Sequence, residues 1–172
     1  MRRALSIAST HNEIKVMLNK PINIYRLKIE LISMGCRNIT REVSRGVDID
    51  GKHTLYDLHM EIQDLFGWDN DHMFSFYLGE ELYDRKNEYS ANPLGEHMLT
   101  SWGPPSKPAS ETELRDLNLS EGFSFFYLFD YGDELIHRVT VENIREMTSK
   151  ESSVVIHLDK IGIAPSQYAY DE

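Results

Sequence analysis

The sequence predicts an α+β protein with a single mostly antiparallel or mixed sheet and helices packed on one face. Three observations lead to this class: an alternating stretch near the start, an amphipathic helix in the middle and an aromatic hairpin towards the end. The strands come in hairpin-like pairs with helices between the pairs, as in α+β domains. With 172 residues, 41% of them hydrophobic, the chain suits one domain with a sizeable core.

The aromatic hairpin extends from Phe123 to His137. A dense aromatic run ends at a turn, Asp-Tyr-Gly-Asp, that occupies residues 130–133. After the turn every second residue suits a buried face, and these residues are Leu135, His137, Val139 and Val141. The pattern predicts two paired strands around a tight connection.

Two further elements carry clear periodic patterns. Tyr25, Leu27, Ile29 and Leu31 alternate with charged residues, which predicts a strand with one buried face. Thr54 and Asp57 form a capping box before an apolar helical stripe, which consists of Leu55, Leu58, Ile62, Leu65 and Phe66. Gly67 follows the last turn and predicts the end of this helix.

The remaining segments complete the predicted organisation. Extended stretches are predicted over 39–49, 73–78 and 154–158, and a short helix is predicted behind the capping box of Ser110 and Glu113. Residues 1–21 are predicted to form an N-terminal helical extension, 22–163 the α+β domain and 164–172 a flexible tail. Residues 79–110 hold four of the six prolines and predict a long exposed loop that carries function or moves.

Composition narrows the classes of partner and compartment. A formal net charge of −10 repels phosphate backbones and disfavours nucleic-acid binding. A single cysteine, Cys36, permits no internal disulfide and indicates a reducing compartment. No window approaches the roughly 20 apolar residues of a membrane span, and the N-terminus is too polar for a secretory signal. We therefore expect a soluble cytoplasmic protein without a membrane partner.

Five polar residues lie at the ends or on the buried faces of the strongest elements: His59, His72, Asp130, Asp133 and His137. They converge if the helix that begins at Thr54 packs over the hairpin. One interpretation is a divalent-metal site that activates water for hydrolysis. A second is metal-free acid–base chemistry by a His–Asp pair. The third is a buried hydrogen-bond network, which is favoured because no two histidines are spaced i, i+4 on one helix.

Several motifs in this order resemble the plasmid-Ri open-reading-frame-three-like family, some of whose members are labelled transposon passenger or TnpR-like proteins. The motifs are Tyr25–Ile29, Thr54–His59, Ile62–Gln63, Phe66–Asp69, His72–Phe76 and Phe129–Asp133 followed by His137. The resemblance spans about residues 22–160. It implies an α+β domain from a bacterial or archaeal accessory genome and no established activity.

The chain departs from the family pattern at three places. The segment Ile39–Glu42 lacks the family's tryptophan, Leu135 stands where a tryptophan follows Gly-Asp, and the acidic, cysteine-containing tail of many members is not recognisable after Ala164. These departures weaken any site that needs a tryptophan or the tail, and they leave the five polar residues intact.

The leading hypothesis is a small non-enzymatic binding or adaptor domain for an unknown protein or small-molecule ligand. It is preferred because no complete catalytic constellation accompanies the predicted core and the long Pro-rich loop. The alternatives are a metal-dependent hydrolase that uses the His/Asp cluster and, more weakly, a recombination accessory factor that contacts DNA. Homo-oligomerisation through an exposed strand edge is also compatible with the sequence.

Overall fold

The protein is built on one nine-stranded mixed sheet, seen in a computed structural model that describes residues 21–91, 106–148 and 150–168. The strands are β1 Asn23–Met34, β2 Arg37–Asn38, β3 Ser44–Asp50, β4 Phe74–Tyr77, β5 Glu88–Ser90, β6 Lys107–Pro108, β7 Ser124–Phe129, β8 Leu135–Glu146 and β9 Val155–Ile161. Their order across the sheet is β6-β5-β4-β7-β8-β1-β3-β9, with β2 paired to β1. Every pair is antiparallel except β5 with β6.

The helix α1, Leu55–Phe66, covers the inner face of the sheet. Its capping box is present, since the Thr54 side chain accepts from the Asp57 backbone and the Asp57 carboxylate accepts from the Thr54 backbone. The helix ends at Gly67 in a left-handed conformation. Among the described residues no helix is both long enough and apolar enough to cross a lipid bilayer.

The prediction of helices on one face is borne out only in part, because α1 is the one α-helix that the described ranges contain. The helix predicted behind Ser110 is instead two short 3₁₀ segments, Ala109–Glu111 and Leu114–Asp116. The physical reason lies in the backbone: Leu55 N–H donates to the Thr112 carbonyl, and Leu114 N–H donates to the His53 carbonyl. The backbone groups of Thr112 and Leu114, which a longer helix would pair internally, are therefore hydrogen-bonded to residues 53 and 55.

Part of the predicted loop over 79–110 also belongs to the sheet. β5 and β6 lie within it, and Glu88, Ser90 and Ser106 are buried. Ser75 donates to Glu88 Oε1 at 2.7 Å, and the hydroxyls of Ser90 and Ser106 lie 2.6 Å apart. These hydrogen bonds let polar side chains lie in the interior, where hydropathy alone does not predict them. The N-terminal extension and the middle of the Pro-rich loop, 92–105, lie outside the described residues.

The inner and outer faces of the sheet have different covers. The alternating residues Leu27, Ile29, Leu31, Val139 and Val141 are buried beneath the inner face together with α1. On the outer face a smaller cluster joins Tyr77, Leu128 and Ile136 under Leu82. The inner layer is the one that brings the polar residues of α1 against β7 and β8.

Candidate functional site

α1 lies across β4 and β7 and directs two polar side chains, His59 and Gln63, into the inner layer. The helix buries its apolar stripe, and the polar pair follows because residues four apart share a face. The His59 imidazole stacks on Phe74 with 3.8 Å between ring centroids. Both polar side chains meet the hydroxyl of Tyr127, which is completely buried on β7.

The contacts of Tyr127 form a hydrogen-bond chain with a defined direction. Gln63 Nε2 donates to the Tyr127 hydroxyl at 2.9 Å, His59 Nδ1 lies 2.7 Å from the same hydroxyl, and His59 Nε2 lies 2.7 Å from Asn70 Oδ1. Because Asn70 Oδ1 only accepts, the imidazole proton resides on Nε2, and Nδ1 accepts from Tyr127. Burial lowers the pKa of His59 to about 4, against a smaller opposing effect of the bond to Asn70. The imidazole is therefore neutral and has both nitrogens occupied.

His137 lies on β8 in an aromatic enclosure. Its ring centroid is 4.9 Å from that of Phe66, 5.2 Å from that of Tyr127 and 5.3 Å from that of Trp68. The residue is 0% exposed, and within the described residues neither ring nitrogen has a partner at hydrogen-bond geometry. Burial lowers its pKa to about 3, opposed weakly by backbone groups of Tyr127 and Leu135. An imidazole enclosed in this way has no route to a substrate.

His72 and Asp130 meet at the rim of the inner layer. His72 Nε2 lies 3.4 Å from Asp130 Oδ2, and Nδ1 lies 2.7 Å from Asp71 Oδ1. Asp130 Oδ1 also accepts from the backbone N–H groups of Gly132 and Asp133, which shapes the hairpin turn. This carboxylate therefore has a structural use as well as a neighbouring imidazole.

The structure thus divides the five predicted residues among three places. His59 and His137 flank Tyr127, and His72 meets Asp130 at the rim. Asp133 lies in the turn, where its carbonyl accepts from Gly35 N–H at 2.6 Å. Across 21–91, 106–148 and 150–168, no three His, Cys, Asp or Glu side chains are grouped so that they could hold a metal ion. The contacts that the structure shows around these residues are hydrogen bonds and aromatic packing.

A segment after β9 crosses the end of α1 and forms a second feature of the site, which we call the strap, residues 164–168. Trp68 Nε1 donates to the Pro165 carbonyl at 3.0 Å, and Asp69 N–H donates to Gln167 Oε1 at 2.6 Å. Gln167 Nε2 donates to the Asp71 carboxylate at 2.7 Å, and the Tyr168 hydroxyl donates to the other carboxylate oxygen. The hydrogen bond from Tyr168, with smaller effects of His72 and Gln167, lowers the pKa of Asp71 to about 2.

The strap does not fill the space beneath it. A cavity of about 280 Å³ remains between the strap and residues 66–69, and Phe66 and Trp68 supply its aromatic wall with ring centroids 4.9 Å apart. We call the surface of residues 66–71 that faces the strap, together with this space, the groove. The sequence predicts a flexible tail over 164–172. Residues 164–168 of this segment lie against residues 66–71, where Gln167 is only 5% exposed, and residues 169–172 lie outside the described residues.

Sequence reasoning missed Gln63, Tyr127, Asn70, Asp71 and Gln167. Gln63 offered a signal, because it lies four residues after His59 beside the apolar stripe. Tyr127 was visible only as one aromatic residue among several. Gln167 contacts Asp69 and Asp71 across nearly a hundred residues of sequence, and no local pattern reports such a contact.

Tyr127→Phe is expected to lower the free energy of unfolding by about 1–3 kcal/mol, because it leaves the buried Gln63 amide and His59 Nδ1 without their shared partner. Urea unfolding at pH 7 measures the change. Tyr56→Phe is the control, since that ring is 39% exposed and its loss of a hydroxyl should change stability by less than about 0.5 kcal/mol. Equal effects of the two substitutions would contradict the hydrogen-bond chain.

Comparison with known proteins gives a family and a fold. A sequence model of the plasmid pRiA4b ORF-3-like protein family matches residues 23–166. The crystal structure of MM3350, a protein of unknown function from Methanosarcina mazei Go1, aligns with a TM-score of 0.65 and 19% identity, covering 87% of this chain and 75% of that one. At that identity the likeness shows the fold alone. No curated protein matches the chain.

Proposed function

The chain belongs to the plasmid pRiA4b ORF-3-like protein family, and from that premise we propose that it is a small non-enzymatic binding or adaptor domain that holds a peptide segment in the groove. One observation carries the proposal: a five-residue stretch of the chain itself, the strap, is held against residues 68–71 of the groove by specific polar contacts. The single cysteine supports a cytoplasmic setting for this activity. The resemblance supports its origin in a bacterial or archaeal accessory genome.

The groove contains the groups that recognise peptides. The Trp68 indole N–H donates to a main-chain carbonyl, and the Asp69 N–H with the Asp71 carboxylate matches both ends of a carboxamide. The other oxygen of the Asp71 carboxylate accepts from the phenol of Tyr168. These few placed polar groups on an aromatic wall are typical of binding clefts, and they select a Pro-x-Gln-Tyr type of segment.

The state of the imidazoles also supports binding over hydrolysis. His59 uses both ring nitrogens in the chain to Asn70 and Tyr127, and His137 is enclosed by aromatic rings. Neither nitrogen pair can meet a substrate without rearrangement of the core. The role of these residues under the proposal is to hold α1 and Trp68 rigidly, which preserves the shape of the groove.

The strap acts under this proposal as a competitor in cis. A tethered segment has an effective concentration that reaches the millimolar range for short flexible connections. A partner segment in trans must exceed that competition, so weakening the strap should raise the apparent affinity for a partner.

A fluorescein-labelled peptide with the sequence of residues 163–168, Ile-Ala-Pro-Ser-Gln-Tyr, tests the proposal by fluorescence anisotropy with the full chain. Gln167→Ala removes the strap's contacts to Asp69 and Asp71, so we expect the peptide to bind this variant about tenfold more tightly than the natural chain, equivalent to about 1.4 kcal/mol. The measurement is the dissociation constant for each protein.

Two controls accompany this comparison. Ser166→Ala changes the strap at a residue that lines the cavity without a described side-chain hydrogen bond, and it should leave the dissociation constant within twofold. A peptide with Ala in place of its Gln should lose binding to Gln167→Ala. The proposal fails if the peptide does not bind that variant, or if it binds both proteins equally.

A further inference from the structure

The two edges of the sheet differ in a way that bears on partner binding. One edge is β6, which is two residues long and contains Pro108. The other edge is β9, which is seven residues long and has no further strand hydrogen-bonded to it in the part of the chain that the structure describes. Natural proteins shorten or block their edges with proline, as at β6, because an open edge pairs with other chains. As far as the described residues show, β9 keeps an open edge, and this edge is separate from the groove.

The backbone of β9 presents hydrogen-bonding groups on its free side. Asp50 N–H on β3 donates to the Val154 carbonyl at 3.0 Å, and Ile156 stands opposite Asp48. Because backbone groups alternate between the two sides of a strand, those of Val155 and His157 point away from β3. The His157 side chain is engaged elsewhere, with Nε2 lying 2.7 Å from Glu61 Oε2 on α1. The free groups are therefore those of the main chain.

Apolar side chains accompany these free groups. Ile156 is 49% exposed, Ile161 46% and Ile163 93%, which are high values for large apolar residues on one short segment. Beside them a cavity of about 310 Å³ opens over Gly46, with Leu158 and Ile161 among its walls. Its other walls are mostly charged: Arg26 and Lys28 are paired with Asp48 and Glu42, and the carboxylates of Glu142 and Asp159 also line it. The cavity depends on the missing side chain at Gly46, where a Cβ atom would lie 3.0 Å from Leu158 Cβ.

We propose that β9 is a strand-addition site for an extended segment of a different protein, with one side chain of that segment directed into the cavity over Gly46. Main-chain hydrogen bonds give affinity in this mode of recognition, and a side pocket gives selectivity. The chain carries a net charge of −10, so a second copy brings like charge, whereas a segment that contains lysine or arginine brings opposite charge. The occupant is therefore a basic segment that alternates with apolar residues.

Two features of β9 argue against pairing with a second copy. The register of β9 on β3 shifts between Arg45 and Val47 of β3. Beside this irregularity β9 carries two charged residues, Asp159 and Lys160. Bulges and charges at strand edges act against self-association. The regular part, Val155 to His157, retains the free main-chain groups that a foreign segment needs.

A fluorescent eight-residue peptide that alternates Val with Lys is the probe, used with the full chain at low salt. His157→Pro removes the outward N–H while keeping the ladder to β3, and we expect it to weaken peptide binding at least tenfold. His157→Ala is the matched control, because it loses the same contact to Glu61 and keeps the N–H, so its dissociation constant should stay within twofold of the natural chain.

Further probes keep the proposal open to refutation if His157→Pro does not fold. The same peptide methylated at alternate backbone nitrogens should not bind the natural chain, and a peptide with Glu in place of Lys should bind at least tenfold more weakly. No binding of the Val–Lys peptide, or equal binding of the methylated form, would overturn the strand-addition site. A concentration-dependent dimer that His157→Pro abolishes would overturn the choice of occupant in favour of a second copy.

Discussion

Lowering the pH from 7 to 4.5 is expected to reduce the free energy of unfolding by roughly 5 kcal/mol through His59 and His137 alone, at about 1.36 kcal/mol per pKa unit for each group. Burial lowers the pKa of His59 to about 4 and that of His137 to about 3 in the folded protein. Both imidazoles titrate near 6.5 in the unfolded chain. The unfolded chain therefore binds more protons throughout this interval.

The direction follows from those values. Well above pH 6.5 both imidazoles are neutral in the folded and unfolded states, so their protonation does not reduce the free energy of unfolding there. As the pH falls below 6.5 the unfolded chain gains two protons that the folded protein refuses, and stability decreases until the pH reaches the folded pKa values of about 4 and 3. Carboxylates also make the free energy of unfolding depend on pH. Subtracting the pH-dependent loss of a matched variant from that of the natural chain removes this common part.

His137→Leu is that variant, because it replaces the enclosed imidazole by an apolar side chain that cannot be protonated. Urea unfolding of both proteins at pH 7 and pH 4.5 gives two pH-dependent losses of unfolding free energy, and the variant's loss should be smaller by about 2–3 kcal/mol. Equal losses would mean that His137 is accessible to protons in the folded protein. In that case its assignment to the core, and the rigid role given to it in the groove, would be wrong.

The elements with strict periodicity could be predicted because burial of one face leaves a direct trace in the sequence. The alternation at Leu27, Ile29 and Leu31 and at Val139 and Val141 fixes which side of each strand meets α1, and all five residues are buried. The single sheet and the family could therefore be predicted from the sequence. The second predicted helix was not, because its backbone hydrogen bonds go to residues 51–55, and such a tertiary contact overrides local capping signals.

The candidate site shows the same boundary between local and non-local information. The sequence placed His59 beside the buried stripe and His137 on the inner face of the hairpin, and both are buried there. It did not place Tyr127 between them, although the pairing of Phe129 with Leu135 across the turn leads by counting to Tyr127 opposite His137. The prediction lacked the number of residues in the turn, which sets this register. The contacts of the strap could not be predicted by such counting, since they depend on where β9 ends in space.

Gly162→Ala is expected to cost at least about 3 kcal/mol of unfolding free energy, since it combines backbone strain with a collision. Gly162 has a φ of 71°, and a Cβ atom there would lie 2.2 Å from the carbonyl oxygen of Glu42. The obstacle is main chain and cannot swing aside. Gly162 is also the residue that turns the chain from β9 into the strap.

Gly122→Ala separates the two causes. Gly122 has a φ of 82° and has nothing within 4 Å of the added Cβ position, so its substitution carries the strain of a left-handed conformation without a collision, about 1–2 kcal/mol. Urea unfolding of both variants at pH 7 measures the difference. If the two substitutions cost the same, the close approach of Gly162 to Glu42 is not a feature of the folded protein.

The effect of Gly162→Ala should also reach the groove, because the main chain at this glycine is connected to the end of α1 by hydrogen bonds. Arg45 donates to the carbonyls of Ile161 and Gly162 and, through Nε, to that of Leu65 at the end of α1. Displacement of the main chain at Gly162 therefore breaks these hydrogen bonds and moves the Pro165 carbonyl away from the Trp68 indole. In a Trp102→Phe background, Trp68 fluorescence should shift to longer wavelength in Gly162→Ala and stay unchanged in Gly122→Ala. Identical spectra would show that the strap holds the groove independently of β9.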